Sequence, residues 1–492
     1  MPQSIDKMKT EIAEGNLSVW EREGEHLLLV QPFMDSVIAR GEGCFLIDME
    51  GRRILDLAAG QFCSILGHSH PRFISRLQEQ IANIGHLGDQ YVSLGVLKAA
   101  SRLVSKAPSS LTKAVLLSTG SEANECAMRM AKAVTGRSGM LAFTRGYYGI
   151  SLATRNLSSI SDHPGEFDFA PAPVNQDKLI TPTCNRCPIQ KEYPSCDSAC
   201  LAASLDLVSQ HLENVAAVIV EPVLSAGGMI FPPKDYLKKL QATAKKCGIL
   251  FIVDEAQTGL GRCGQWFDIQ NYEIEPDILV VSKTAGNGYP AAAVVVSDTV
   301  AHALEESFFT HLSSHQNDPL AAAAVLAVIE TIEEENLVQR SREMGAYFKI
   351  ELEKLKATHK IIKDIRGRGL MIGIELSSAE RDSDNLAFEV AMLCERRGLH
   401  ITYSYYEPVL RIIPPLIISK QEIDLALSIV KDALSIVESG QSKLAELIPK
   451  NSRSGPFIRG MVRTSPARML RNMWRTSPQQ WMEKVRAITE RA

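Results

Sequence analysis

Three groups of residues with chemical potential stand directly after short apolar runs in the middle of the sequence. Asp254 ends the run ILFIVD, Lys283 ends DILVVSK, and Gly120 with Ser121 follows AVLLST. Runs that are apolar at every position indicate strands covered on both faces. Because burying a charge costs several kcal/mol unless something pairs with it, the sequence predicts a partner for both Asp254 and Lys283.

Together these residue types are what pyridoxal 5′-phosphate requires. The free N–H groups at a helix start near Gly120 would attract a phosphate, a lysine amine binds an aldehyde covalently, and a buried carboxylate pairs with a protonated ring nitrogen. Gln257 would lie near the phenolic oxygen of the ring. The sequence therefore predicts this cofactor where the strands of an open α/β sheet end. The alternative interpretation is a buried Lys283–Asp254 salt bridge.

The elements that must position these residues follow from the hydrophobic pattern. Continuous apolar runs separated by helix-length amphipathic segments predict an α/β domain with a mainly parallel sheet. The helix at 233–248 connects two of these strands and ends on a glycine, a common helix terminator. The predicted strands lie at 114–119, 216–222, 249–255, 277–283 and 292–297.

Outside this region the pattern predicts a hairpin over 43–57 and a smaller α+β domain. The smaller domain is predicted from helices at 319–335, 337–357 and about 384–398, and from strands at 366–376 and in LRIIPPL. The predicted division is an N-terminal segment and hairpin at 1–64 that belongs to the small domain, a large domain at 65–320 with a Cys-rich insertion at 181–203, the small domain at 321–438, and a basic extension at 439–492.

Composition excludes several classes of function. With 492 residues and a formal net charge of −4, the chain gives no reason to expect nucleic acid as a partner. No window is apolar for long enough to span a membrane, and the N-terminus has no secretory or transit pattern. Cysteines scattered singly along the chain are typical of a reducing compartment. We therefore expect a cytoplasmic enzyme.

Several segments resemble the class III (subgroup II) pyridoxal-phosphate aminotransferases of fold type I, over roughly residues 20–437. The segments are EPVLSAGG, DEAQTGLGRCG, DILVVSKTAGNGYP, SSHQNDPLAAAA and RGRGLMIGIEL. The resemblance implies that Lys283 binds the cofactor covalently and that Asp254 pairs with its ring nitrogen. It also implies a homodimer, or a dimer of dimers, with active sites at the subunit interface. The other cofactor contacts that it implies are Gly120, Ser121, Tyr147 stacked on the ring, Glu221, Gln257, and Ser314 reaching the phosphate of the neighbouring subunit.

Within that family the chain is most similar to 2,2-dialkylglycine decarboxylase. Gln61, in AAGQFCSILGH, stands where ordinary class III aminotransferases usually carry an aliphatic residue, and Arg411 before IIPPL matches an arginine that binds the substrate carboxylate. Ala226, the pair Tyr147–Tyr148 and Ile150 depart from the decarboxylase pattern. These departures alter the pocket and leave the cofactor chemistry unchanged.

The resemblance implies two half-reactions. An α,α-dialkyl amino acid loses CO2 and leaves a ketone, and the amino group then passes to a 2-oxo acid such as pyruvate. Gln61 and Lys283 would hold the carboxylate perpendicular to the ring, where its bond breaks, whereas Arg411 would hold a carboxylate in the ring plane for transamination. Alternatives are a non-decarboxylating aminotransferase acting on an ω-amine or α-amino acid, a racemase on the same scaffold, and a non-enzymatic binding protein. The alternative interpretation of Gln61 is a polar loop residue that only orders the entrance to the site.

Four cysteines cluster in the predicted insertion with the spacing C-x2-C-x8-C-x3-C. Such a pattern suits a tetrahedral zinc site, and its alternatives are an iron–sulfur cluster, two disulfides or a loop of reduced thiols. The cysteines are Cys184, Cys187, Cys196 and Cys200.

The C-terminal extension differs from the rest of the chain in charge. From 441 to 492 there are eleven Lys/Arg residues against three Asp/Glu. The sequence predicts a solvated, partly helical tail. The alternative is a segment that docks on an acidic partner or a membrane surface.

Overall fold

The structure is a computed structural model. It describes residues 15–28, 33–158, 176–378, 386–404, 407–442 and 444–450. The predictions about the extension beyond residue 450 lie outside the described residues.

The helices alternate with strands over most of the described chain. Short 3₁₀ turns also occur, and those at Cys184–Arg186 and Lys283–Gly286 carry candidate residues. The α-helices are α1 (Asn16–Glu23), α2 (Ala59–Phe62), α3 (Pro71–Asn83), α4 (Leu94–Val104), α5 (Gly120–Thr135), α6 (Leu152–Leu157), α7 (Ala199–Val208), α8 (Lys234–Lys246), α9 (Asp298–Glu306), α10 (Pro319–Glu334), α11 (Leu337–Thr358), α12 (Leu386–Arg396), α13 (Lys420–Glu438) and α14 (Leu444–Leu447).

The strands form one large sheet and two small ones. They are β1 (Ile38–Glu42), β2 (Phe45–Asp48), β3 (Arg53–Asp56), β4 (Leu111–Leu117), β5 (Gly139–Phe143), β6 (Gln176–Leu179), β7 (Val215–Val220), β8 (Leu250–Asp254), β9 (Ile278–Val281), β10 (Ala292–Ser297), β11 (Ile362–Arg368), β12 (Met371–Leu376), β13 (Leu399–His400), β14 (Thr402–Tyr403) and β15 (Val409–Ile412).

The chain divides into two compact units. The larger unit contains Gln61–Ile65 and Pro71–Arg342, and the smaller contains the residues up to Gly60, Leu66–His70 and the described residues from Glu343 onward. The division therefore falls between Arg342 and Glu343, whereas the predicted boundary at residue 320 lies inside α10. Helix α10 remains with the larger unit because its apolar residues pack on α3 and α4.

The larger unit is built on a seven-stranded sheet in the order β4-β10-β9-β8-β7-β5-β6. Strand β10 is antiparallel to both β4 and β9, and the remaining neighbours are parallel. Two strands that are each antiparallel to β10 must be parallel to each other. All strands except β10 therefore run in one direction, and their carboxyl ends meet at one edge of the sheet.

Burial explains why these segments form central strands. Every residue of β7, β9 and β10 is buried, and so are the last four of β8. Helix α5 covers one face with small and flexible side chains such as Ala123, Ala127 and Met128, which belong to the same core as the sheet. Both faces of the sheet are thus covered, as continuous β-branched runs predict. The prediction of an α/β fold with a mainly parallel sheet is confirmed.

Most predicted elements form within a few residues of their expected ends. The exception is 366–376, which the sequence predicts as one strand. The chain instead forms the antiparallel pair β11 and β12, with a tight turn at Gly369, whose φ of +53° lies in the left-handed region. The apolar pattern continues across that turn, so the sequence pattern does not reveal that the chain reverses direction there.

The smaller unit contains two four-stranded sheets, ordered β1-β2-β3-β13 and β11-β12-β15-β14. Strands β2 and β3 form the predicted antiparallel hairpin. Buried Asp48 closes the turn between them, because its Oδ1 accepts the backbone N–H groups of Glu50 at 3.0 Å and Arg52 at 2.9 Å.

Candidate active site

The carboxyl edge of the large sheet gathers residues from five strands. Each lies at the end of a strand or in the turn that follows it, as the common strand direction requires. They are Gly120 after β4, Tyr147 after β5, Glu221 after β7, Asp254 at the end of β8, and Lys283 after β9.

Asp254 is a buried carboxylate with a defined set of hydrogen bonds. Its Oδ2 accepts from Asn124 Nδ2 at 2.7 Å, and its Oδ1 accepts from the backbone N–H of Ala256 at 2.9 Å. Burial raises the pKa of Asp254, and the Asn124 hydrogen bond and the charge of Lys283 oppose that rise. The carboxylate is therefore oriented by neutral donors, and a cation placed beside it would favour its ionised form.

Lys283 begins a 3₁₀ turn with a backbone φ of +40°. This left-handed conformation is costly for a residue with a side chain and is found mainly at functional sites. Its ammonium group lowers the pKa values of Asp254 and Glu221, but it forms no ion pair or hydrogen bond with any residue that the structure describes. The alternative of a direct Lys283–Asp254 salt bridge is therefore wrong.

The start of α5 is shaped to receive an anion. Thr119 caps the helix, and its Oγ1 accepts the N–H of Glu122. Gly120 and Ser121 contribute the first helical N–H groups, which an α-helix cannot satisfy internally. A Cβ added to Gly120 would lie only 2.7 Å from Ser282 Oγ, so a larger residue here would require the Ser282 hydroxyl to rotate or the helix start to shift.

The adjacent tyrosines after β5 have different environments. Tyr148 is buried in the core, and its hydroxyl donates to the carbonyl of Ile219 at 3.2 Å. Tyr147 is half-buried, and its N–H donates to Glu221 Oε1 at 2.8 Å. Of the two rings, Tyr147 is the one available to a ligand.

Glu221 has an unusual protonation equilibrium. Burial and the nearby Asp254 carboxylate raise its pKa to about 8, although the Tyr147 N–H and the Lys283 charge act in the opposite direction. Two carboxyl groups thus share this edge of the sheet in a largely buried setting. Glu221 therefore favours the neutral form, which leaves Asp254 as the main negative charge.

Several buried polar atoms at this edge have no hydrogen-bond partner among the described residues. They are Gln257 Oε1, Ser282 Oγ and Asn124 Oδ1. Buried polar groups are nearly always satisfied in a protein, so unpartnered atoms clustered around one place indicate a ligand. Their chemistry fits pyridoxal phosphate, because hydroxyl and helix N–H groups suit its phosphate and an amide suits its ring oxygen.

Comparison with known proteins decides the family. The family described as "Aminotransferase class-III" matches residues 30–434. The chain belongs to the class III aminotransferases. Its similarity to the leucine/methionine racemase of Thermococcus litoralis is 32% identity, covering 82% of this chain and 92% of the racemase. It is also 32% identical to the acetylornithine aminotransferase of Archaeoglobus fulgidus, over 83% of this chain and 98% of that enzyme.

Solved structures support the same assignment. The omega transaminase of Pseudomonas jessenii, solved in complex with PMP, superposes with a TM-score of 0.78 at 26% identity, covering 82% of this chain and 93% of the transaminase. Fold type I is thus confirmed. Class III aminotransferases use pyridoxal phosphate, so the predicted cofactor is confirmed as well.

The residues predicted to select the reaction lie in different parts of this class III chain. Gln61 is exposed in α2, and its side-chain amide makes no hydrogen bond with a described residue. The segment 61–65 belongs to the larger unit. The positive charge of Lys283 in that unit lowers the pKa of Cys63, against the rise that burial causes. Arg411 belongs to the smaller unit, where it is nearly buried on the internal strand β15. Ser314 is exposed in the larger unit.

Sequence reasoning missed two residues of the site. Asn124 orients Asp254 from α5, and Ser282 lies against Gly120. An asparagine inside a helix and a serine before a lysine are common, so neither carries a signal in the sequence. The only clue to Asn124 is that it stands four residues after Gly120, which places it one turn along the same helix face.

No three of the four clustered cysteine thiols lie within 4.8 Å of one another. All ten cysteines are free thiols. In the described part of the chain, one group of three possible metal ligands has its donor atoms within 4.8 Å of one another. It consists of His86, His315 and Asp318, and both histidines hydrogen-bond to the aspartate. The insertion is instead fixed by hydrogen bonds, since Tyr193 and Ser198 both donate to Asp235 at 3.0 Å.

Among the described helices, none has the length and hydropathy that crossing a membrane requires.

Replacing Gly120 with Ala should weaken cofactor binding. The new Cβ would lie 2.7 Å from Ser282 Oγ, so the Ser282 hydroxyl must rotate away or the helix start must shift. We expect the Kd for pyridoxal phosphate, measured by visible absorbance titration, to rise by about tenfold, since one displaced hydrogen bond to a charged group is worth roughly 1.5 kcal/mol.

The matched control is Gly136→Ala at the other end of α5. Gly136 has a φ of +67° and open space around it, so the substitution should cost about 1 kcal/mol of stability without changing cofactor affinity. An equal loss of affinity in both variants would show that the helix start has no special role.

Glu221 should make the stability of the cofactor-free enzyme depend on pH. Its pKa rises from 4.5 to about 8 on folding, so the folded state binds the extra proton, and stability falls as pH rises through this interval. Glu221→Gln keeps an acceptor for the Tyr147 N–H and removes the titration. The free energy of unfolding in urea should be measured for both proteins at pH 5.5 and pH 8. Between these pH values the wild type should lose on the order of 3 kcal/mol relative to the variant. Parallel pH curves would contradict this.

Proposed function

We propose that this class III aminotransferase is a decarboxylating one. An α,α-dialkyl amino acid and a 2-oxo acid react to give CO2, a ketone and a new amino acid. With 2-aminoisobutyrate and pyruvate the products would be CO2, acetone and alanine, which balances every atom.

The observation that carries the proposal is the side-chain amide of Gln61. It makes no hydrogen bond with a described residue, and it lies in a segment next to the turn of Lys283. Burial raises the pKa of Cys63, and the charge of Lys283 lowers it, so the positive charge of Lys283 acts at this segment. Ser64 Oγ lies 3.5 Å from the position that a Cβ on Gly288 would occupy, just past the turn of Lys283. An exposed amide two residues from Cys63 is well suited to bind a substrate carboxylate near the amine.

The residues divide the work between bond selection and proton transfer. Pyridoxal phosphate, when bound, would supply an electron sink for the breaking bond at the substrate α-carbon. Gln61 would donate an amide N–H to the carboxylate and so favour its loss. Lys283 Nζ would carry the proton, and Asp254 would keep the ring nitrogen protonated. Arg411, whose guanidinium fork matches a carboxylate, would bind the 2-oxo acid.

The pocket should accept substituents larger than methyl. Ala226 stands where the decarboxylase pattern has a serine. Its neighbour Ser225 cannot replace that hydroxyl, because it is fully buried and its Oγ donates to Met229 Sδ at 3.3 Å. The loss of a polar group favours bulkier apolar substrates.

A plain aminotransferase and a racemase remain the competing functions. The similarity to an acetylornithine aminotransferase favours the first, and the similarity to a leucine/methionine racemase favours the second. In both, a C–H bond rather than the carboxylate would have to stand perpendicular to the ring. The products of a single incubation separate the three.

We also propose that the enzyme is a homodimer that works in the cytoplasm. Large apolar side chains are exposed in several segments of the larger unit, and exposed apolar surface of this kind marks association sites. Free thiols throughout the chain support a reducing compartment. The exposed residues include Ile81, Tyr91, Leu94, Ile150, Leu152, Phe308 and Leu312.

Lys283→Ala should abolish covalent attachment of the cofactor. The wild-type enzyme should show a visible absorbance band, and borohydride reduction should fix the cofactor mass to the peptide that contains Lys283. The variant should lose both signals and at least about 1000-fold in kcat, as is usual when a covalent nucleophile is removed. Label on another lysine would refute the assignment.

Gln61→Ala should lower decarboxylation selectively. Incubation with 2-aminoisobutyrate and pyruvate should release CO2 in the wild type, and the variant should be about tenfold slower in this half-reaction because one hydrogen bond to the charged carboxylate, worth roughly 1.5 kcal/mol, is lost. Transamination between L-alanine and a 2-oxo acid should change less than twofold. If wild-type enzyme releases no CO2 from any dialkylglycine but turns over ordinary donors, the decarboxylase proposal is wrong.

A further inference from the structure

Asp56 holds the base of the loop that carries Gln61, at the point where β3 ends. It is completely buried. Its Oδ1 accepts the N–H of Ala58 at 2.9 Å, and its Oδ2 accepts the N–H of Gly60 at 2.7 Å. The backbone immediately before Gln61 is therefore fixed by one side chain.

The same carboxylate closes the loop from its other end. Oδ2 of Asp56 also lies 2.9 Å from Nε2 of His68. His68 is itself anchored to the sheet, since its N–H donates to the carbonyl of Gly43 at 2.7 Å and its carbonyl accepts the Gly43 N–H at 3.0 Å. The Asp56–His68 hydrogen bond thus joins the two ends of residues 57–67, and we call this pair the clasp.

The loop needs such restraint because its backbone is strained. Ala59 and Phe62, which flank Gly60 and Gln61, have φ values of +47° and +65°. Residues with side chains adopt this left-handed conformation only when their surroundings impose it. Without the hydrogen bonds to Ala58 and Gly60, the turn would relax toward ordinary conformations, and the Gln61 side chain would leave its position.

The electrostatic setting supports a charged clasp. Burial raises the pKa of Asp56, but the His68 hydrogen bond, the charge of His400 and the Gly60 N–H together bring it below its ordinary value. The carboxylate is therefore ionised when its acceptor role is needed. A neutral amide at this position could not accept all three hydrogen bonds.

We propose that Asp56 is a positioning residue for the reaction, and that with His68 it sets the place of Gln61 next to Lys283. This inference rests on the proposed function, because it assigns the partition between decarboxylation and transamination to the clasp. No substrate or cofactor contact is required of Asp56 itself.

The test compares holoenzyme variants of the clasp with a matched control. Asp56→Asn and His68→Ala break it, His68→Gln restores a donor near the Nε2 position, and Asp48→Asn is the control. Asp48 is an equally buried aspartate of the same small sheet whose carboxylate accepts two backbone N–H groups in the β2–β3 turn. Asp48→Asn should therefore lower the stability of the protein as the loss of a buried carboxylate does, without affecting the loop that carries Gln61.

The decisive readout is the ratio of CO2 release to amino transfer. We expect this ratio to fall about tenfold in Asp56→Asn and His68→Ala, since small displacements of a reacting group have effects of this order or larger. It should recover to within about threefold of the wild type in His68→Gln and stay unchanged in Asp48→Asn. An unchanged ratio in both clasp variants, or the same fall in Asp48→Asn, would overturn the proposal.

A second readout needs no substrate and separates this inference from the proposed function. Hydrogen exchange at the amides of Ala58 and Gly60, and the alkylation rate of Cys63 followed by peptide mass spectrometry, should rise in His68→Ala and recover in His68→Gln. Unaltered exchange and alkylation would overturn the clasp. If the wild type releases no CO2, the decarboxylase proposal fails alone, and the clasp is then judged by these rates and by kcat for an ordinary amino donor. If Asp56→Asn fails to fold, the two His68 variants decide.

Discussion

The burial of Asp254 at the carboxyl end of a central strand is the constraint around which the site is organised. A carboxylate with so little access to water needs fixed donors, and Asn124 and the Ala256 N–H supply two of them. Neither donor carries a charge, so burial still raises the pKa of Asp254. The protein thereby builds a place where a cation is favoured, which is the role we propose for the protonated pyridine ring of the cofactor.

The direction of the strands turns this local constraint into a site. Because β10 alone runs against the others, the chain after β4, β7, β8 and β9 emerges at one edge. Helix α5, which starts there, contributes both anion-binding N–H groups at Gly120 and the amide of Asn124 one turn later. In the proposed site, a single helix would therefore serve both the phosphate and the ring nitrogen of the cofactor.

The sequence predicts those site residues whose charge is unexpected in an apolar segment. Asp254 and Lys283 were recognisable because charged residues end fully apolar runs, and the strands were recognisable because those runs are continuous. The partners Asn124 and Ser282 could not be predicted, since their residue types are ordinary at those positions and only the packing of α5 against β8 and β9 gives them a role. The turn at Gly369 was missed for a similar reason, because the flanking strands share one apolar pattern. Which of Tyr147 and Tyr148 is accessible also depends on packing, because the structure buries the ring and hydroxyl of Tyr148.

The loop that carries Gln61 follows a different logic from the cofactor site. The cofactor residues stand on strand ends and a helix start, where the backbone is already rigid, so their positions follow from the fold. Gln61 stands in a turn with left-handed residues on both sides, and such a turn keeps its shape only if specific hydrogen bonds hold it. Asp56 makes three of these with one carboxylate. A family that keeps its cofactor chemistry while changing which bond it breaks would need to alter little more than this loop and its restraint, because the sheet edge that binds the cofactor would remain untouched.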